Sequence, residues 1–203
     1  MPFIPSAMTS LMMVKATSES VHGTKLLPQL SAVSSAVCAY FSVAPVVIST
    51  NVVIGPGAGT YTGKIVGLTP NAMVSLMMLK MGMAGLVGRD VKRLFNAISF
   101  GVCNTLLTTV IAQGTVIGGG PGAGQGKIVG LIPAALQPLI LANLTSKILI
   151  GSKTAAIAAA IAFGICNHVM TAGTVITTCI GAFTPPPVGP VPIPAAPGPG
   201  RLV

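Results

Sequence analysis

The chain has 203 residues, of which 52% are hydrophobic and only 6% charged, with a net charge of +9. A soluble monomer carries about 25–35% charged residues on its surface, so most of this exterior is expected to face lipid or other protein. High hydrophobicity also excludes disorder for the bulk of the chain, and a free-standing soluble enzyme is not expected.

Glu19 and Asp90 are the only acids. Paired carboxylates for acid–base chemistry or for a hard metal are therefore nearly excluded. The Lys and Arg residues are scattered, apart from Arg89, Lys92 and Arg93, and aromatic residues make up 4% with no Trp. Stacking platforms for single strands are scarce, and nucleic acid is not an expected partner. Met1 to Lys15 lacks a basic start and is interrupted by Pro2 and Pro5, so no cleavable signal is expected.

In chain order, the sequence returns on itself three times. Pro5-Ser6-Ala7-Met8-Thr9-Ser10-Leu11-Met12-Met13-Val14-Lys15 recurs as Pro70-Asn71-Ala72-Met73-Val74-Ser75-Leu76-Met77-Met78-Leu79-Lys80, eight of eleven positions being identical at an offset of 65. Gly63-Lys64-Ile65-Val66-Gly67-Leu68 recurs as Gly126-Lys127-Ile128-Val129-Gly130-Leu131 at an offset of 63. Ala97-Ile98-Ser99-Phe100-Gly101-Val102-Cys103-Asn104 recurs, again at 63, as Ala160-Ile161-Ala162-Phe163-Gly164-Ile165-Cys166-Asn167, with a weaker first copy at Ser35-Ala36-Val37-Cys38. Pro133 falls where Pro5 and Pro70 predict a third start. The repeats are read as residues 1–67, 68–130 and 131–183, followed by a Pro/Gly-rich tail, 184–203.

Within a unit, Pro suits the first turn of a helix, where its missing N–H costs nothing. Asn71 to Leu86 is apolar nearly all round and predicts a first helix. A second helix is predicted from Arg89 to about Gln113, with its counterpart from Ser152 to about Ala172; a short glycine turn makes each pair an αα-hairpin. From Thr115 to Val129, β-branched runs flank a Pro/Gly centre, which predicts a β-hairpin or a glycine-rich crossing. The tail, with Pro185-Pro186-Pro187, is expected to be extended, to form neither helix nor central strand, and to lie along a neighbour in an assembly. The expected fold class is mainly α: three tandem helical-hairpin repeats, each followed by a short glycine-rich β-ribbon, arranged around a pseudo-threefold axis, with an extended C-terminal tail. Closure is preferred over stacking because three copies satisfy one another's apolar faces without caps.

No motif carries recognisable chemistry. Gly55 to Lys64 invites a phosphate-loop reading, but Ala58 and Pro121 stand where the pattern needs glycine, and Ile65 and Ile128 stand where it needs the hydroxyl for magnesium. The four cysteines, Cys38, Cys103, Cys166 and Cys179, include no Cys-x-x-Cys pair. A Cys166–His168 nucleophile–base pair fails because residues two apart on a helix do not face each other. The cysteines read as one packing position used repeatedly. Eight of the ten Met residues lie in the first helices of the first two units, as gap-filling core or an adaptable contact surface. Asn104, Asn167, Thr105, Thr108 and Thr109 are expected to bond helix to helix. No catalytic, cofactor-binding or metal-ligating residue is assigned, no cofactor or small-molecule substrate is expected, and the protein is read as not an enzyme.

Two function classes stay open. One is an integral membrane protein with helical-hairpin spans: Leu94 to Ala112 and Thr154 to Gly173 carry no formal charge and are long enough to cross, although interfacial belts have no Trp and only Tyr40 and Tyr61. The other is a structural component surrounded by neighbours. Ile161-Ala162-Phe163-Gly164-Ile165-Cys166, followed by Pro185-Pro186-Pro187-Val188-Gly189-Pro190, resembles the PAAR-like spike-tip proteins of contractile tails. The chain as a whole resembles small hydrophobic tail or baseplate proteins of tailed phages. That resemblance implies a non-enzymatic part of a virion tail or injection machine, with structural proteins of the same assembly as partners. The histidine cluster that binds metal in the spike-tip proteins is absent here, so no metal site is carried over. The assembly reading is preferred, with membrane contact during infection compatible with it.

Overall fold

The computed structural model describes residues 3–43, 46–53, 58–85, 88–109, 111–117, 122–147, 149, 151–179 and 199–202. Among these the protein is mainly helical. Six helices, α1 (Pro5–Ser18), α2 (Leu26–Val43), α3 (Pro70–Met83), α4 (Arg89–Thr109), α5 (Pro133–Ser146) and α6 (Thr154–Ala172), alternate in pairs with six strands. The strands are β1 (Val46–Val53), β2 (Ala58–Val66), β3 (Ile111–Ile117), β4 (Gly122–Val129), β5 (Thr174–Cys179) and β6 (Pro199–Leu202).

The starts of α1, α3 and α5 have one cause. Each has Pro in its first turn, and the preceding residue, Ile4, Thr69 or Ile132, is extended, as the steric demand of the proline ring requires. The hydrophobic residues just before them, Phe3, Leu68 and Leu131, are buried. Each helix buries a row at a spacing of four: Met8, Met12 and Ala16 in α1, Met73, Met77 and Met81 in α3, Leu136, Ile140 and Leu144 in α5, with Thr9 and Val74 buried beside the first two rows. Spacing of four places each row along one face of its helix. Each helix packs on its neighbours in chain order, and α6 packs back on α1, so the six helices close into a ring.

The strands form a closed antiparallel barrel in chain order, β6 returning to β1. Lys64 of β2 lies opposite Ile48 and Ile111, Lys127 of β4 opposite Gln113 and Thr174, and Arg201 of β6 opposite Ile176 and Val46. Those partners are themselves 65 and 63 residues apart. Gly122, Gly124 and Gly126 share a face of β4 with the buried Ile128. Small residues suit that face, because six strands enclose less room than the eight whose interior side chains just fill. Helices and barrel meet where α4 packs on β2, α6 on β4 and α2 on β6.

Several boundaries differ from the sequence reading. Helix α3 ends at Met83 rather than Leu86, with Gly85 at φ +67° just beyond. Helix α4 stops at Thr109 and β3 begins at Ile111, so Leu94 to Ala112 is not one helical span. The β-branched run there gains two strand partners, Lys64 and Val129 opposite Ile111, which outweighs its weak helix propensity. Pro199–Leu202, expected to lie in an extended tail outside any central strand, pairs on both sides, with β5 and β1. Pro199 takes the first position of the strand, where proline is tolerated. The rest of the expected tail, 184–198, lies outside the described residues.

Candidate functional site

The matched positions of the sequence repeats meet at the contacts between helices. Ser34 of α2 donates its hydroxyl to the sulfur of Met12 at 3.5 Å, and Ser99 of α4 to the sulfur of Met77 at 3.6 Å. Both hydroxyls are buried, and Ser34 also reaches the Leu30 carbonyl. The third pair of matched positions holds Ala162 and Ile140. Donor and acceptor are replaced together, which leaves no buried hydroxyl without a partner.

The next contact is set by glycine. A Cβ on Gly164 of α6 would lie 2.2 Å from Met12 Cγ and 3.1 Å from the Met12 nitrogen, and one on Gly101 of α4 2.8 Å from Ile140 Cγ1. Helix backbones approach α1 and α5 at these points closely enough that no side chain fits. Position 36, matched to both glycines, holds Ala.

One turn further on, Tyr40, Thr105 and His168 occupy matched positions. The Thr69 N–H donates to the Tyr40 hydroxyl at 2.5 Å, and the Ile4 N–H donates to His168 Nε2 at 3.2 Å. Each supplies a partner for the backbone just ahead of a proline-started helix. His168 is buried beside Phe3, ring centroids 5.9 Å apart, and burial pushes its pKa below 6.5. The buried Thr105 bonds the Gly101 carbonyl at 2.8 Å, Thr108 the Asn104 carbonyl, and the Asn167 amide the Phe163 carbonyl. These bonds run within their own helices, because a short polar side chain reaches the carbonyl four residues back. The Thr109 side chain lies outside the described residues.

Cys38, Cys103 and Cys166 are buried and free on α2, α4 and α6, and burial pushes each thiol up to about 12. The Cys179 side chain is outside the described residues. A thiol so protonated is a poor nucleophile and metal ligand, and among the described residues no three His, Cys, Asp or Glu side chains gather to hold a metal. Cys103→Ala and Cys166→Ala are each expected to lower stability by about 1 kcal/mol, as small cavities do. Iodoacetamide at pH 8 is expected to modify these three thiols in the unfolded chain and not in the folded one; rapid labelling of the folded chain would contradict the packing role.

Cavities among the described residues include two between helices. One, about 450 Å³, brings together Gln29, Leu94 and Ile157, matched positions near the starts of α2, α4 and α6, with Asp90 and Thr154 at its wall. The other, about 370 Å³, lies between α1, α5 and α6 and is lined by Lys15, Glu19, Gln137 and Phe163 among others. Neither holds a nucleophile beside a base. Asp90 is paired with Arg93, and Glu19 with Lys15.

Several large apolar side chains are exposed among the described residues. Val14 on α1 is 66% exposed, and Leu79 and Met83 on α3 are 58% and 74% exposed, with Phe100, Leu107 and Leu139 exposed as well. Five of the first-helix methionines, Met8, Met12, Met73, Met77 and Met81, are core, whereas Met78 and Met83 face outward. Helices α2 and α6 are long and apolar enough to cross a membrane, yet 56% and 50% of their most apolar 18-residue stretches are buried within the protein, as in core helices. No protein-family model matches the chain, and neither a curated protein nor a solved structure matches it.

Sequence reasoning passed over one element, β6. Gly200-Arg201-Leu202-Val203 parallels Gly63-Lys64-Ile65-Val66 and Gly126-Lys127-Ile128-Val129. The signal was hidden because the Pro/Gly segment ahead of it displaces it from the 63-residue spacing.

Proposed function

We propose that the protein is a non-enzymatic structural component of a large protein assembly, a tail or baseplate part of a tailed phage or a related injection machine. The observation that carries this reading is the combination of a closed ring and barrel with exposed apolar side chains, Val14 on α1 and Met78, Leu79 and Met83 on α3. Three tandem units, each a helical hairpin followed by a glycine-rich β-ribbon, are arranged around a pseudo-threefold axis. The third unit takes its second strand from 199–202. Matched contacts at Met12, Met77 and Ile140 and matched barrel registers support that arrangement. A body of this symmetry seats on a threefold or sixfold partner without mismatch. Its exposed apolar side chains, with 6% charged residues in the whole chain, suit contact with other subunits. The neighbours are other structural proteins of the same assembly, and the place of action is the virion tail.

Expressed alone and without detergent, the full chain is expected to self-associate, and particles purified from the cells that make it are expected to contain it in fixed stoichiometry. A monodisperse detergent-free monomer, or a chain found only in detergent extracts of membranes, would overturn the proposal.

A further inference from the structure

Tyr40, Thr105 and His168 lie in the last turn or so of the three second helices, and each of these helices packs on the first helix of the next unit. Helix α2 continues through β1 and β2 into α3, and α4 through β3 and β4 into α5. Helices α6 and α1 come from opposite ends of the described chain and meet by packing. This seam has the only imidazole among the three matched positions, and its Nε2 accepts the Ile4 N–H.

We propose that the α6–α1 seam is a pH-sensitive closure, which protonation of His168 opens while the seams at Tyr40 and Thr105 stay shut. An imidazole that accepts at Nε2 is neutral, with its proton on Nδ1; the imidazolium has two donors and no acceptor. Protonation therefore sets an N–H against the Ile4 N–H inside a site where His168 is 4% exposed. Among the described residues the two acidic side chains lie elsewhere, Glu19 beyond the far end of α1 and Asp90 on α4, which does not pack on α6. The elements packed on α6 are α1, α5, α2 and β4. Helix α1 carries Lys15, about ten residues from Ile4 and so roughly 15 Å along the helix, where it pairs with Glu19. Helix α5 has no titratable group, α2 has Cys38 and Tyr40, and β4 has the exposed Lys127. Burial alone lowers the His168 pKa. The folded form thus prefers neutral imidazole, and its contribution is complete above the ordinary 6.5 and is lost as pH falls through that value toward the folded one. Opening separates Met8 and Met12 from Gly164 and frees apolar surface on α1.

Hydrogen exchange by mass spectrometry on the full chain, in one mild detergent at pH 7.5 and 5.0 and corrected for intrinsic rates, tests this. Exchange in residues 3–16 and 158–172 is expected to rise by up to about 30-fold at pH 5.0, while 68–81 stays constant. His22→Gln, which removes the other histidine, is expected to keep the response, and His168→Tyr, which installs the side chain of position 40, to abolish it. An equal response at all three seams, no response at any, or a response that survives His168→Tyr would overturn the proposal. Should His168→Tyr fail to fold, the comparison among the three seams of the native chain decides.

Discussion

Gly164→Ala is expected to destabilise the fold by about 3 kcal/mol, at the upper end of overpacking costs. The added methyl would overlap Met12 Cγ at 2.2 Å, which a flexible methionine could relieve alone. It would also press on the Met12 nitrogen at 3.1 Å and the Met8 carbonyl at 3.2 Å, and that backbone yields only if α1 moves away from α6. Gly101→Ala meets Ile140 Cγ1 at 2.8 Å and the Ile140 nitrogen at 3.1 Å, so a loss of about 2 kcal/mol is expected. Ala36→Gly at the matched position should cost only about 1 kcal/mol, the helix-propensity difference. Urea titration followed by circular dichroism measures all three. A neutral Gly164→Ala would mean that α6 and α1 do not approach as described.

Removal of residues 199–203 is expected to abolish cooperative folding. Strand β6 aligns three residues with β1 and three with β5. Its hydrogen bonds, at about 1 kcal/mol each, sum to a quantity comparable with the whole stability of a small domain, about 5–15 kcal/mol. Its loss also leaves two open edges, β1 and β5, as templates for aggregation. Loss of the cooperative thermal transition and precipitation at neutral pH are expected. A truncated chain with an unchanged melting temperature would contradict the closed barrel.

The helices were legible because their signals are local. Proline at 5, 70 and 133 with four-residue rows of Met or Leu needs no distant partner to be read, and the predominance of helix followed from it. The end of α4 was not legible, since Thr108 to Ala112 is uncharged and continuous, and only the partner strands decide that Ile111 leaves the helix. Strand β6 was hidden by composition: a four-residue strand that begins with proline and follows a Pro/Gly-rich run reads as tail until β1 and β5 offer it ladders. The glycines at 101 and 164 were legible as repeats but not as contacts, because the helix that fills the space beside each lies in another part of the sequence. The polar groups at Tyr40 and His168 gave no signal at all, being unlike side chains placed at matched positions for the same backbone contact.

The central claim, that three units close on themselves, is tested most directly by circular permutation. Strand β6 ends at Leu202 between β5 and β1, and the packed core resumes at Phe3, as it does between Ile128 and Leu131. Residue 203 can therefore be joined to residue 1, and the chain opened between Gly119 and Gly120. In mild detergent the permuted chain is predicted to keep the helical circular dichroism and the single cooperative melting transition of the parent. Loss of that transition in the permutant, while the unpermuted chain tolerates an insertion at 119–120, would contradict the closed ring.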